Sequence, residues 1–269
     1  MDKKFFLGIA VAAAIIFFAT AVATSLPKNT VPAEDRETLY QVSTIDALMQ
    51  GVFDGVQPVG EIKQHGDFGI GTFDGLDGEM IVLDGKVYQA RADGAVYPVP
   101  DTMTTPLATV TYFESDRVVK TDRRMNLTGL SDALSAQLPS QNMIYAVKIH
   151  GTFPEMTVRA IPRQEKPYPT LTIAAKNQSV YTYKNANGTV VGFYTPVFFK
   201  GLNVAGFHLH FISDDKKTGG HILDMTAGPG TVAELDITDG FAMSLPTSGS
   251  FTSVDLSQDL SSALAKVER

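Results

Sequence analysis

Short apolar runs alternating with polar residues, broken by Gly-containing turn pairs, predict strands rather than helices over most of this chain. Asp84-Gly85 between Met80–Leu83 and Lys86–Gln89 is the strongest hairpin signal, and Arg91–Gly94 adds a turn before Val96. Tyr145–Ile149 and Met156–Ile161 alternate around Gly151 and read as two paired strands. Val180–Tyr194 reads as a hairpin across Asn185–Gly188, and Thr231–Ile237 as a further strand. Gly206–Phe211 alternates strictly; the polar, Gly-ended Asp214–Gly220 then turns the chain back toward His221.

Helical spacing is confined to short stretches. Ser43 is placed to cap a helix carrying Ile45, Leu48 and Met49, which Gly51 and Gly55 close. Leu130–Leu138 ends at Pro139, and Ser257–Val267 turns Leu260 and Leu264 inward. The expected class is α+β and strand-dominated, with a few short helices. Two β-rich halves, residues 37–165 and 166–269, would divide near Gln164–Thr170.

Phe5–Ala23 differs from the rest. It is almost wholly apolar, follows Lys3 and Lys4, and ends in Ala21-Val22-Ala23. That pattern fits either an export signal or an uncleaved membrane anchor formed by an N-terminal apolar helix over residues 1–23, with residues 24–36 as a linker. Both place the soluble part outside the cytoplasm.

Apolar content of 44% with 19% charged residues is that of a folded protein. A net charge of −7, with no long basic cluster, argues against a nucleic-acid partner. There is no cysteine, so disulfides and thiolate chemistry are excluded. Such a chain must hold itself together by its core, by a metal or by association, a homodimer being the simplest assembly.

Of five histidines, His208, His210 and His221 fall close together. Residues i and i+2 of a strand share a face, so His208 and His210 can converge without a special loop, and the returning strand brings His221 beside them. Three imidazoles with an open position suit a catalytic zinc ion, and also iron, nickel or copper. The bland alternative is a solvated hairpin face opposite Phe207, Leu209 and Phe211. Glu79 follows a tight turn and enters an apolar strand, where burial would raise its pKa. Arg159 alternates with Val158 and Ala160, and its fork matches a carboxylate. Each also reads locally as a solvated residue. His65 and His150 lack metal spacing, and Asp214 and Asp215 read as turn residues.

Several blocks together, Leu39–Thr44, Gly69–Met80, Asp93-Gly94, Val158–Gln164 and Gly206–Phe211, resemble the acetolactate decarboxylase family in order and spacing. The resemblance implies that His208, His210 and His221 hold Zn2+ and that Glu79 and Arg159 are catalytic, Arg159 also binding substrate. It further implies that Thr72 lines the substrate pocket and that Glu268 approaches the metal as a ligand or catalytic carboxylate. The implied reaction converts 2-acetolactate to acetoin and CO2, the metal stabilising an enediolate. The sequence departs from the family pattern in its apolar N-terminus and at Val147-Lys148. Two other readings of the hairpin are a cupin-like metalloenzyme acting on another small keto acid and an exported metal-binding module without catalysis.

Overall fold

The computed structural model describes residues 36–268. The apolar helix and signal or anchor expected over 1–23, and all of the linker except Arg36, lie outside the described residues. Among the described residues no helix is long and apolar enough to cross a membrane.

Two seven-stranded sheets carry the fold. In chain order the strands are β1 (Thr38–Val42), β2 (Phe68–Thr72), β3 (Glu79–Leu83), β4 (Lys86–Ala90), β5 (Val96–Pro98), β6 (Ala108–Thr111) and β7 (Arg117–Lys120). They continue as β8 (Met125–Asn126), β9 (Ile144–Ala160), β10 (Ser179–Thr195), β11 (Gly206–Ser213), β12 (Gly219–Ala227), β13 (Val232–Thr238) and β14 (Gly240–Ser244). The first sheet runs β14-β1-β6-β2-β3-β4-β5, antiparallel except for β1 beside β14. The second runs β8-β12-β11-β10-β9-β13-β7. Both sheets draw strands from either side of the Gln164–Thr170 connection.

In the second sheet β12 pairs with β11 on one side and with β9 on the other, so β9 to β12 close on themselves. This closure corrects two expectations. The segments on either side of Gly151 form one 17-residue strand, not a pair of strands, and the segment expected as a hairpin across Asn185–Gly188 is a second 17-residue strand. The two pair with each other from Tyr145 opposite Tyr194 to Ala160 opposite Ser179. The outer edge of β9 is also occupied, by β13 along residues 144–150 and by β12 along 155–159. Backbone groups satisfied by neighbours on both edges leave no need for a reversal at Gly151, which simply faces Gly188 across the ladder.

The short helices are α1 (Ile45–Met49), α2 (Val59–Ile62), α3 (Leu127–Ser135), α4 (Leu171–Ala174) and α5 (Ser261–Val267). Thr44, not Ser43, caps α1: its Oγ1 accepts from the Ala47 N–H, while Ser43 adopts a left-handed φ of 61°. The helix expected over Leu130–Leu138 is α3, which starts earlier, at Leu127, because Asn126 Oδ1 accepts from the Gly129 N–H.

Strand alternation sorts the side chains of the second sheet onto two faces, each packed into a core of its own. Ile70, Ile81 and Leu83 of the first sheet meet Ile144, Ala146, Val191, Phe193 and Ile212 of the second. On the other face of the second sheet, Tyr145, Val147, Phe153, Val158, Leu209 and Phe211 pack with Leu130 and Leu134 of α3. His208 and His210 share the parity of Ile212 along β11 and so project between the sheets.

Candidate active site and metal centre

Cross-strand register assembles the site. On β11, His210 lies opposite His221 of β12, and His221 lies opposite Arg159 of β9. The glycine beside His221 makes this approach feasible: a Cβ on Gly220 would sit 2.5 Å from the Arg159 carbonyl oxygen. The three imidazole ring centres stand 5.1 to 5.4 Å apart, and one nitrogen from each lies within 4.8 Å of the others.

His210 Nδ1 lies 2.9 Å from the Met80 carbonyl oxygen. A carbonyl only accepts, so Nδ1 carries the hydrogen and Nε2 presents its lone pair. His210 Nε2 and His221 Nδ1 are buried without a hydrogen-bond partner. Burial holds all three imidazoles neutral. It depresses His208 to about 3, with the Arg159 charge adding to the effect, and lowers His210 and His221 well below the usual range. A neutral imidazole that presents a buried nitrogen without a partner, as His210 and His221 do, is in the state in which histidine ligates a metal.

The first sheet supplies Glu79. Thr72 and Glu79 are cross-strand partners on β2 and β3, and Thr72 Oγ1 donates to the Gly78 carbonyl at 2.7 Å. Gly78 has φ 75°, and a Cβ there would approach the Ala90 carbonyl oxygen to 2.3 Å. This tight turn feeds Glu79 into the interface, where Arg159 Nη1 donates to Glu79 Oε1 at 2.7 Å. Glu79 Oε2 stands 3.7 Å from His210 Nε2. Burial pushes the Glu79 carboxyl up to about 7; Arg159 opposes that rise and Glu268 adds to it.

Glu268 arrives from the C-terminal end of α5, whose Leu264 and Val267 are anchored beside Ile45, Met49 and Leu171. Its Oε2 lies 3.4 Å from His208 Nε2 and 3.6 Å from His221 Nε2, and its Oε1 lies 3.6 Å from Arg159 Nη2. Burial raises its pKa against the pull of Arg159. A cavity of about 650 Å³ reaches the site from the His221 and Glu268 side, walled by Leu127 and Ser131 of α3 and by Ser261 and Leu264 of α5.

Six of the seven candidates, Glu79, Arg159, His208, His210, His221 and Glu268, therefore meet at one locus, while Thr72 stands beside Glu79 with its hydroxyl turned to the Gly78 carbonyl. The remaining histidines stay apart: His65 stacks on Tyr40 at 3.7 Å, and His150 is exposed beside Asp214. Sequence reading missed the Met80 carbonyl, a backbone group without a side-chain signature.

Fold and site together define a buried centre of three histidines, an arginine and two carboxylates, suited to a metal and a small anionic substrate. The alpha-acetolactate decarboxylase family profile matches residues 39–258. An alpha-acetolactate decarboxylase of Methanosarcina mazei is 54% identical over 233 residues, covering 87% of this chain and 81% of the relative. That of Methylococcus capsulatus is 42% identical over 235 residues, covering 87% and 90%. The crystal structure of the Bacillus subtilis strain 168 enzyme superposes with a TM-score of 0.83 at 35% identity, covering 86% of this chain and 98% of that one. The chain belongs to the alpha-acetolactate decarboxylase family. Glu268 lies beyond the residues that the family profile matches, and its place at the site is read from its distances to His208, His221 and Arg159.

Proposed function

We propose that this site decarboxylates 2-acetolactate to acetoin and CO2, with zinc held by His208, His210 and His221. Family membership supports the reaction, and the convergence of three neutral imidazoles on one point supports the metal. His208, His210 and His221 would hold a divalent cation, which would supply Lewis acidity to stabilise the charge that decarboxylation leaves on the substrate.

Arg159 receives the substrate carboxylate. Its Nε has no partner, so the guanidinium keeps a free donor even while Nη1 serves Glu79. Fixing that carboxylate lets the breaking C–C bond stand perpendicular to the ketone plane, which is the alignment that decarboxylation needs. Loss of CO2 leaves an electron pair delocalised onto the former ketone oxygen, and a proton must return to carbon. Glu79 Oε2 and Glu268 Oε2 both border the imidazole cluster, and burial raises the pKa of each carboxyl, that of Glu79 to about 7. Either carboxyl is placed to deliver it. Thr72 acts through the turn that positions Glu79.

The carrying observation is the meeting of Arg159, Glu79 and the three histidines in one buried space. Metal analysis and an acetoin assay on a single preparation test the reading. One metal per chain with CO2 release is expected; a fully metal-loaded protein that releases no CO2 from acetolactate overturns it. We further read residues 1–23 as an export signal or anchor, on the sequence pattern alone. The mass of the native N-terminus decides between them.

A further inference from the structure

Glu79 enters the site from a turn whose backbone is left-handed at two of the three residues before it: Leu76 has φ 58° and Gly78 has φ 75°. Leucine adopts that conformation rarely, so the turn depends on its surroundings to keep its shape. Two successive peptide groups in it are held from outside. The Gly78 carbonyl accepts from Thr72 Oγ1 at 2.7 Å. The Asp77 carbonyl accepts from Gln89 Nε2 at 2.6 Å. The N–H of that same peptide group, on Gly78, donates to the carbonyls of Leu76 and Ile161, each at 3.0 Å. Ile161 directly follows β9, two residues beyond Arg159. The peptide group that Gln89 grips therefore links the Glu79 turn to the strand that carries Arg159.

Gln89 stands on an apolar face. It lies opposite Met80 and shares one side of β4 with Val87, and both belong to a core that includes Val42, Val59, Phe73 and Val82. Strand alternation puts this core on the far side of the first sheet from Glu79 and the histidines. Gln89 is 4% exposed. A carbonyl only accepts, so the amide nitrogen is the atom that faces Asp77. A buried amide costs stability unless it is bonded, and methionine or leucine would fill the same space without that cost. Arg91, next on the same side, also reaches the turn, pairing with the Asp77 carboxylate at 3.4 Å, but it is exposed.

We propose that Gln89 is a positioning residue for the decarboxylation: by holding the Asp77–Gly78 peptide group, it sets where the Glu79 carboxyl stands between Arg159 and His210. It acts through the turn and not on the substrate. The proposal rests on Glu79 acting in the reaction proposed above. With the turn released, Glu79 keeps its chemistry but loses its alignment. Turnover then falls, while Arg159 still captures the substrate carboxylate and the histidines still hold their metal.

The test is the full chain carrying Gln89→Met, which keeps the volume, removes the donor and suits the apolar face. Its kcat should fall roughly 10- to 100-fold, the cost of a small misplacement, with KM and metal content close to wild type. Arg91→Ala, on the exposed side of the same turn, should change kcat by less than about twofold. Gln89→Met combined with Glu79→Gln should lose no more than Glu79→Gln alone, because the one acts through the other. Wild-type kcat in Gln89→Met, a loss expressed in KM or metal content, or multiplying losses in the double variant overturns the proposal. Wild-type turnover in Glu79→Gln overturns it as well. If Gln89→Met does not fold, Gln89→Leu, also without a donor, takes its place; failure of both to fold assigns Gln89 to stability and overturns the proposal. Absence of CO2 release from metal-loaded wild type overturns the decarboxylase reading instead. The crystal structure of Gln89→Met then still decides whether Gln89 places Glu79: a displaced carboxyl supports the placement, and an unmoved one overturns it.

Discussion

Arg159 of the second sheet donates through Nη1 to Glu79 Oε1 of the first at 2.7 Å, and both side chains are buried. The contact joins the closed strands that hold the histidines to the turn that delivers Glu79. Positional accuracy at the site therefore depends on how the two sheets pack, as well as on the histidine hairpin.

Arg159→Ala leaves Glu79 buried without its cation. Breaking such a pair costs roughly 3–5 kcal/mol, or about 10 °C in melting temperature for a chain of this size. The histidine metal should be retained and CO2 release lost. Arg159→Lys keeps the charge but not the fork, and kcat/KM should still fall by about two orders of magnitude. Metal analysis and steady-state kinetics on both variants check this; full activity in Arg159→Ala would remove the carboxylate clamp.

Glu79→Gln retains shape and hydrogen bonding but cannot give up a proton as a carboxyl does. The variant should fold, bind metal and lose roughly 10²–10⁴ in kcat if Glu79 is the donor. Glu268→Gln is the necessary comparison. The larger loss in kcat identifies the donor, and normal turnover in Glu79→Gln assigns it to Glu268.

The histidine hairpin was legible because period-two alternation and a polar, Gly-ended turn are local signals. Asp84-Gly85 announced its hairpin for the same reason, and β3 and β4 lie where expected. The pairing of Arg159 with His221 was not legible, since it arises from closure of β12 onto β9, strands distant in sequence. Gly151 and Asn185–Gly188 misled because glycine and asparagine mark local bends as well as reversals. Glu268 has no surrounding motif: Leu264 and Val267 place it by packing into a core built largely from the other end of the chain.

His208→Ala and His221→Ala each remove one of three ligands, and metal content should fall well below one per chain with loss of activity. His210→Ala should do the same and in addition release the Met80 carbonyl, so its melting temperature should fall further than that of His208→Ala. Stripping wild type with a strong chelator and restoring zinc should remove and return acetoin formation. Activity that persists through complete stripping would exclude the metal from the chemistry.

Thr72→Val deletes the hydrogen bond to the Gly78 carbonyl while keeping volume, at a cost of about 1 kcal/mol. If Thr72 works by holding the Glu79 turn, kcat should fall with KM little changed. A hydroxyl that mainly contacts substrate predicts the reverse, a raised KM with kcat preserved. Kinetics across a substrate series separate the two, and no change in either parameter would remove Thr72 from the site.

Asp236 should make stability depend on pH in a direction opposite to that of most carboxylates. Its folded pKa, about 8, exceeds the ordinary unfolded value of about 4. Between those limits the folded chain holds a proton that the unfolded chain has released. This contribution to stability therefore falls as pH rises from about 4 to 8 and is flat above. Denaturation midpoints of wild type minus those of Asp236→Asn isolate it, because groups common to both proteins cancel; only Glu37, Glu114 and Asp116, which share its field, retain a residual effect. A difference curve that rises with pH would mean that Asp236 is stabilised as a carboxylate in the folded chain.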